Sequence, residues 1–156
     1  MVTSEQARIA QSNNIIAVGV TVDEYMEHYA GDWCEYVDGQ VIKLYPNGAT
    51  WMDNNFIFCI HTFLSAYCGL RPVGQVFRAP FVIALPAFPQ RRREPDLMVR
   101  LHTSAAILHP TYLEGAADIC IEVVSPESVT RDYADKLVEY EQGGVGEYWV
   151  LDRQRR

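Results

Sequence analysis

Lysine is nearly missing from this 156-residue sequence, which has only Lys43 and Lys136. Cysteine is scarce as well: Cys34, Cys59, Cys68 and Cys120 stand far apart, with no C-x-x-C among them. Three of the four sit inside apolar runs, so buried free thiols are expected in place of a zinc knuckle or a disulfide frame. No apolar run reaches the ~18 residues of a membrane span, and the opening MVTSEQARIAQSNN lacks the basic-then-apolar order of a signal peptide. A cytoplasmic protein with no membrane partner is expected. Positive charge is in deficit, with 13 Lys and Arg against 20 Asp and Glu and a formal net charge of −7. Such a surface does not hold nucleic acid through its overall field, so any nucleic-acid contact must be local. Internal repeats and low-complexity tracts are absent, as are a Walker loop, a G-x-G-x-x-G turn and a serine, histidine and aspartate motif. Ser125, followed by Pro126, reads as a turn former.

What is present is an ordinary globular composition, 49% hydrophobic and 21% charged, at a length that suits one domain. Residues 1–14 are polar and unpatterned and read as a flexible tail, leaving 15–156 as the domain. Thr21-Val22-Asp23-Glu24 has the form of a capping box and opens a helix that runs to about Ala30. Asp38-Gly39, between two short alternating runs, predicts a tight hairpin over Glu35–Ile42. Asp53 is placed to cap a helix from about Asn54 to Tyr67, with Phe56, Ile60, Phe63, Leu64 and Tyr67 at helical spacing. Gly74–Leu85 reads as one strand, PAFPQRRR as an exposed basic loop, and Pro95–Val99 as the next strand. Residues 101–118 read as an irregular connection with one helical turn. Ile119–Val124 reads as a buried parallel strand, Arg131–Gln142 as a helix, and Glu147–Asp152 as the strand that completes a right-handed crossover.

Two acids interrupt strand-forming runs: Asp96 in PDLMV and Glu122 in ICIEVV. An ionised carboxylate without a partner is costly in a core, so each needs a cation, several hydrogen bonds or a metal. A structural salt bridge, or a strand-end acid facing water, explains either one alone. On adjacent strands ~4.8 Å apart and on one face, the two can share a divalent cation. Lys136 borders an inward stripe of Tyr133, Leu137 and Tyr140, and its long stem can carry the ammonium to the strand's polar end. A surface pair with Asp132 at i−4 is the competing reading.

With these residues in this order, the chain resembles the PD-(D/E)XK nuclease superfamily and, within it, the Uma-two (Uma2) family of restriction-endonuclease-like proteins. The matching residues are Glu35-Tyr36-Val37-Asp38-Gly39, Glu94-Pro95-Asp96, Ile121-Glu122-Val123-Val124-Ser125-Pro126, Asp132, Lys136, Tyr140 and Gly146 to Asp152. The resemblance implies an α/β restriction-endonuclease-like fold: a mixed central sheet with an αβββαβ core, preceded by a helix and a β-hairpin. It implies a Mg²⁺- or Mn²⁺-dependent endonuclease hydrolysing DNA, with Asp96, Glu122 and the Val123 carbonyl as metal ligands. Glu35 matches a family glutamate that completes the acidic site, while its place on a hairpin strand suits a structural role equally. The superfamily's lysine two places after the glutamate is replaced here by Val124, and Lys136 in the following helix matches the displaced lysine of the Uma2 pattern. Asn54 stands where the family often has histidine, and His61 reads as a packed helix residue. Family members continue with further strands after the Trp-Val-Leu-Asp strand, so C-terminal strands are expected to be lacking here.

Arg91, Arg92 and Arg93 are expected to contact phosphates locally, with Arg153, Arg155 and Arg156 as the alternative surface. A homodimer is compatible with this reading. The rival function is a non-catalytic nucleic-acid-binding or assembly module that retains the nuclease fold.

Overall fold

A computed structural model describes residues 14–45 and 50–153. The tail expected over 1–14 lies outside these residues except for Asn14, which is buried. Arg155 and Arg156 lie outside them as well. The chain begins with β1 (Ile15–Val18) and α1 (Val22–His28). The capping box is formed: Thr21 Oγ1 accepts from the Glu24 N–H at 3.2 Å and Glu24 Oε2 accepts from the Thr21 N–H at 2.8 Å. The hairpin is β2 (Cys34–Val37) and β3 (Gln40–Lys43), and its turn has φ of 48° at Asp38 and 87° at Gly39. Two successive left-handed residues make the turn that matches strand twist, and Asp-Gly is the pair that tolerates it.

The next helix, α2 (Trp51–Leu70), begins three residues before the expected Asn54. Thr50 is the cap in place of Asp53: its backbone is extended and its hydroxyl accepts from the Asp53 N–H at 3.2 Å. Ile57, Phe56, Ile60 and Leu64 pack on the sheet, but Phe63 and Tyr67, on the flank of that stripe, are 77% and 60% exposed. Cys59 is exposed on this helix too, and all four cysteines are free. No helix among the described residues is long and apolar enough to cross a membrane.

The strand expected over Gly74–Leu85 is two strands, β4 (Gly74–Arg78) and β5 (Val82–Ala84), in different sheets. Pro80, preceded by a cis peptide bond, lies between them and cannot donate to a ladder. The arginine loop is likewise ordered: β6 (Arg91–Arg92) pairs with β2. Then come β7 (Leu97–Leu101), β8 (Ile107–Leu108), β9 (Tyr112–Glu114) and β10 (Ile119–Val123). The connection over 101–118 thus holds two short strands and no helical turn. The last helix has two parts, a π-helical segment Arg131–Asp135 and α3 (Lys136–Gln142), followed by β11 (Glu147–Leu151).

The central sheet has the order β11-β10-β7-β4, with β10 and β11 parallel and the other neighbours antiparallel. In chain order α2, β4, β7, β10, α3 and β11 form the expected αβββαβ core. The hairpin belongs to a second sheet, β1-β3-β2-β6, and the short strands form a third, β5-β9-β8. Alternation along β7 and β10 divides the core into two faces. Leu97, Ile121 and Val123 pack beneath α2, whereas Met98 and Cys120 cluster with Tyr140 of α3.

Candidate active site

Asp96 and Glu122 share the α3 face by the same alternation, two residues before Met98 and two after Cys120. The register pairs Cys120 with Met98 and Ile121 with Leu97, so continuing it one step sets Asp96 opposite Glu122. Facing residues on antiparallel strands hold their Cβ atoms ~5 Å apart. Asp96 is fixed from both sides, since Oδ2 accepts from the Val123 N–H at 2.7 Å and Oδ1 from the Tyr45 hydroxyl at 2.6 Å. Glu122 Oε1 accepts from Lys136 Nζ at 2.7 Å and from the Tyr140 hydroxyl at 3.1 Å. Its other oxygen has no hydrogen-bond partner among the described residues.

Lys136 is 1% exposed and faces three carboxylates: Glu122, Glu35 Oε1 at 2.8 Å and Asp132 Oδ1 at 3.7 Å. It therefore sits on the buried face, where the sequence suggested a border position, while Leu137 is 46% exposed. The π-helical segment explains the rotation. Its wider turn, closed by the Lys136 N–H on the Arg131 carbonyl, shifts the inward set to Asp132, Lys136, Glu139 and Tyr140. The i−4 contact with Asp132 exists, but as the longest of the three and in the interior.

Glu35, on β2, is fully buried and both its oxygens face cations. Oε1 meets Lys136, and Oε2 accepts from Arg93 Nη1 at 2.8 Å. Arg93 is only 3% exposed and also binds Glu139, its Nε donating to Oε2 at 2.8 Å. Arg91 bridges Glu139 and Asp38. Arg92 donates to the Pro89 and Arg91 carbonyls. The arginine triplet is thus a strand edge and a buried clamp, and the expected exposed loop is corrected. Pairing of β6 with β2 carries Arg93 inward between two buried carboxylates, each of which has one further close cation, Lys136 for Glu35 and Arg91 for Glu139. Arg153 pairs with Asp53 at the start of α2. His61 is half-buried within reach of Ser65, and Asn54 is exposed.

The electrostatics follow from this crowding. Burial pushes the Glu122 carboxyl up, and Asp132, Asp96 and Glu35 add to the rise against the opposing Lys136. Burial likewise raises Asp96, opposed by its bonds from Tyr45 and Val123. Glu35 runs the other way: burial acts to raise it, but Lys136, Arg93 and Arg131 together hold it well below the usual carboxylate range. Burial acts to lower Lys136, yet Glu122, Glu35 and Asp132 overcome it and raise it above an ordinary lysine.

Among the described residues no group of three or more His, Cys, Asp or Glu side chains is arranged to hold a metal ion. The site offers two carboxylates, Asp96 and Glu122, beside the Val123 main chain. That hard-oxygen set suits Mg²⁺ or Mn²⁺, which keep several waters and need few protein ligands. The charge balance suits a cation too, for five buried carboxylates (Glu35, Asp96, Glu122, Asp132, Glu139) surround Lys136, Arg93 and Arg131, with only half-exposed Arg91 besides. Sequence reasoning missed Tyr45, Arg131 and Glu139 as parts of this site, and it singled out Arg93 as a phosphate contact where the structure pairs it with Glu35 and Glu139. Only Glu139, three residues after Lys136 on one helix, left a signal in the spacing.

Over residues 22–156 the chain matches the model of the Uma2 family, described as "Putative restriction endonuclease". Among solved structures it is similar to a crystal structure described as a putative nuclease from Anabaena variabilis ATCC 29413. The TM-score is 0.71 at 14% identity, over 85% of this chain and 74% of that one. At that identity the likeness concerns the fold. No curated protein matches the sequence.

Proposed function

The chain belongs to the Uma2 family of restriction-endonuclease-like proteins, and from that premise we propose that it is a Mg²⁺- or Mn²⁺-dependent endonuclease hydrolysing phosphodiester bonds of DNA. The observation that carries this reading is the convergence of Asp96, Glu122 and Lys136 from two strands and a helix, with Lys136 Nζ 2.7 Å from Glu122. Asp96, Glu122 and the Val123 carbonyl would hold the metal ion, which when bound supplies an activated water and offsets charge on the phosphate oxygens. Tyr45 and the Val123 N–H orient the Asp96 carboxylate, and Tyr140 orients Glu122. Lys136, held charged by its carboxylates, donates a hydrogen bond to the attacking water or to the charge that develops at phosphorus. It does not take the water's proton. Glu35 and Arg93 hold Lys136 in place, and this role suits Glu35 better than metal ligation because both its oxygens already face cations.

The test is cleavage of supercoiled and linear DNA with Mg²⁺ or Mn²⁺, for the parent and for Glu122→Gln. Cutting by the parent that the variant loses supports the reading; no metal-dependent cutting of any DNA by a folded parent overturns it. The burial of Lys136 among three carboxylates favours a second reading, a binding or assembly module in which the network only braces the fold. DNA binding without cleavage in either metal would select it.

A further inference from the structure

Resting on the nuclease reading, we infer that Arg131 is the residue that contacts the non-bridging oxygens of the DNA phosphodiester lying over Asp96 and Glu122. Arg131 is the exception among the cations of this site. Lys136, Arg93 and Arg91 all donate hydrogen bonds to carboxylates. Arg131 donates none among the described residues, although its side chain is only 12% exposed. Its Nε is buried without a partner. The nearest carboxylate oxygens, Asp132 Oδ1 at 3.6 Å and Glu35 Oε2 at 3.9 Å, lie beyond hydrogen-bond length. Asp132 Oδ1 is itself buried and unpartnered, so these two groups stand side by side without closing on each other.

Buried donors are nearly always satisfied, and an exception calls for a reason. A guanidinium presents five N–H groups in a planar fork that matches phosphate oxygens in pairs. The backbone places this one where such an anion would arrive. The π-helical turn bonds the Arg131 carbonyl to the Lys136 N–H, so Arg131 and Lys136 stand one widened turn apart beside Glu35 and Glu122. A site with this excess of carboxylates repels a phosphodiester unless some cation remains free to turn toward it. Arg93 cannot do so, being locked by Glu35 and Glu139.

The experiment is equilibrium binding of a DNA duplex in Ca²⁺, with either a natural phosphate or an uncharged methylphosphonate at the position the parent cuts. The folding of each protein is checked by circular dichroism. For the parent the methylphosphonate should weaken binding roughly tenfold or more, the scale of one charge-assisted hydrogen bond. In Arg131→Gln that penalty should shrink severalfold, the remainder belonging to the metal ion and Lys136, and the slope of log affinity against log salt should fall by ~0.9. Arg131→Lys, which keeps the charge and loses the fork, should keep the salt slope and show a reduced penalty, and it serves as the test if the glutamine variant does not fold. An equal penalty in the parent and in the folded variants overturns the assignment while leaving the nuclease reading intact. A parent that neither binds nor cuts DNA overturns both.

Discussion

The Lys136 ammonium and the Glu122 carboxylate are 14 positions apart in sequence, yet they meet at 2.7 Å with both side chains withdrawn from solvent. Removing one partner of a buried ion pair leaves the other charge uncompensated, at a cost of about 3–5 kcal/mol. Lys136→Met is therefore expected to unfold more easily as well as to lose activity. Glu35 is depressed in the fold partly by Lys136, so its contribution to stability is present above the ordinary carboxylate range and is lost as pH falls. The stability gap between parent and variant should be widest near pH 8 and narrower near pH 3, below the ordinary carboxylate value. Urea unfolding at the two pH values measures it, and a constant gap would show that the charge of Lys136 is not what the fold uses.

Asp96 is expected to control metal affinity. Mg²⁺ at 100 times its dissociation constant should stabilise the parent by ~2.7 kcal/mol. Asp96→Asn removes one anionic ligand and should abolish most of that gain in a thermal melt, with cleavage lowered by a factor of order 10² or more. A melting curve that Mg²⁺ leaves unmoved in both proteins would count against the site.

Neighbouring arginines should behave differently. Arg93→Met takes one buried cation from both Glu35 and Glu139, leaving them Lys136 and Arg91, and should cost about 3 kcal/mol. Arg92→Ala removes a half-exposed side chain bonded only to carbonyls and should stay within about 1 kcal/mol. Chemical denaturation of the two variants side by side checks the contrast.

Glu94 predicts a pH signature of its own. Burial pushes its carboxyl up to about 7, and one of its oxygens, Oε2, has no partner while the other accepts from the Gly31 N–H. A folded-state value above the unfolded one means that stability is fully present below about pH 4.5 and is lost as pH rises toward 7. Glu94→Gln, which cannot ionise, should gain on the parent by about 3 kcal/mol between pH 4 and pH 8. A stability difference that stays constant with pH would show that Glu94 titrates in the fold as it does in the unfolded chain.

Much of the architecture was legible because its signals are local. Asp38-Gly39 needs two left-handed residues, Thr21 and Glu24 cap each other within one turn, and the order of apolar runs dictates αβββαβ. Asp96 and Glu122 were legible for a related reason: a carboxylate within a strand-forming run is conspicuous wherever the strand ends up. The break at Pro80 is equally local, but it lies in an apolar run that otherwise reads as a strand.

The sequence alone thus determined the hairpin, the crossover and the acidic pair, each set by residues that are neighbours in the chain or break its periodicity. Only the tertiary structure decided that Asp96 faces Glu122, because that depends on antiparallel register between strands separated by the 101–118 connection. Only it decided that Arg93 is a buried clamp and not a surface contact, since an arginine shows nothing of the carboxylates that will surround it. The inward turn of Lys136 was decided there too. A π-helical segment leaves no mark in hydrophobic spacing, because the face it rotates into the core carries charges whose partners, Glu35 and Glu122, come from two other sheet strands.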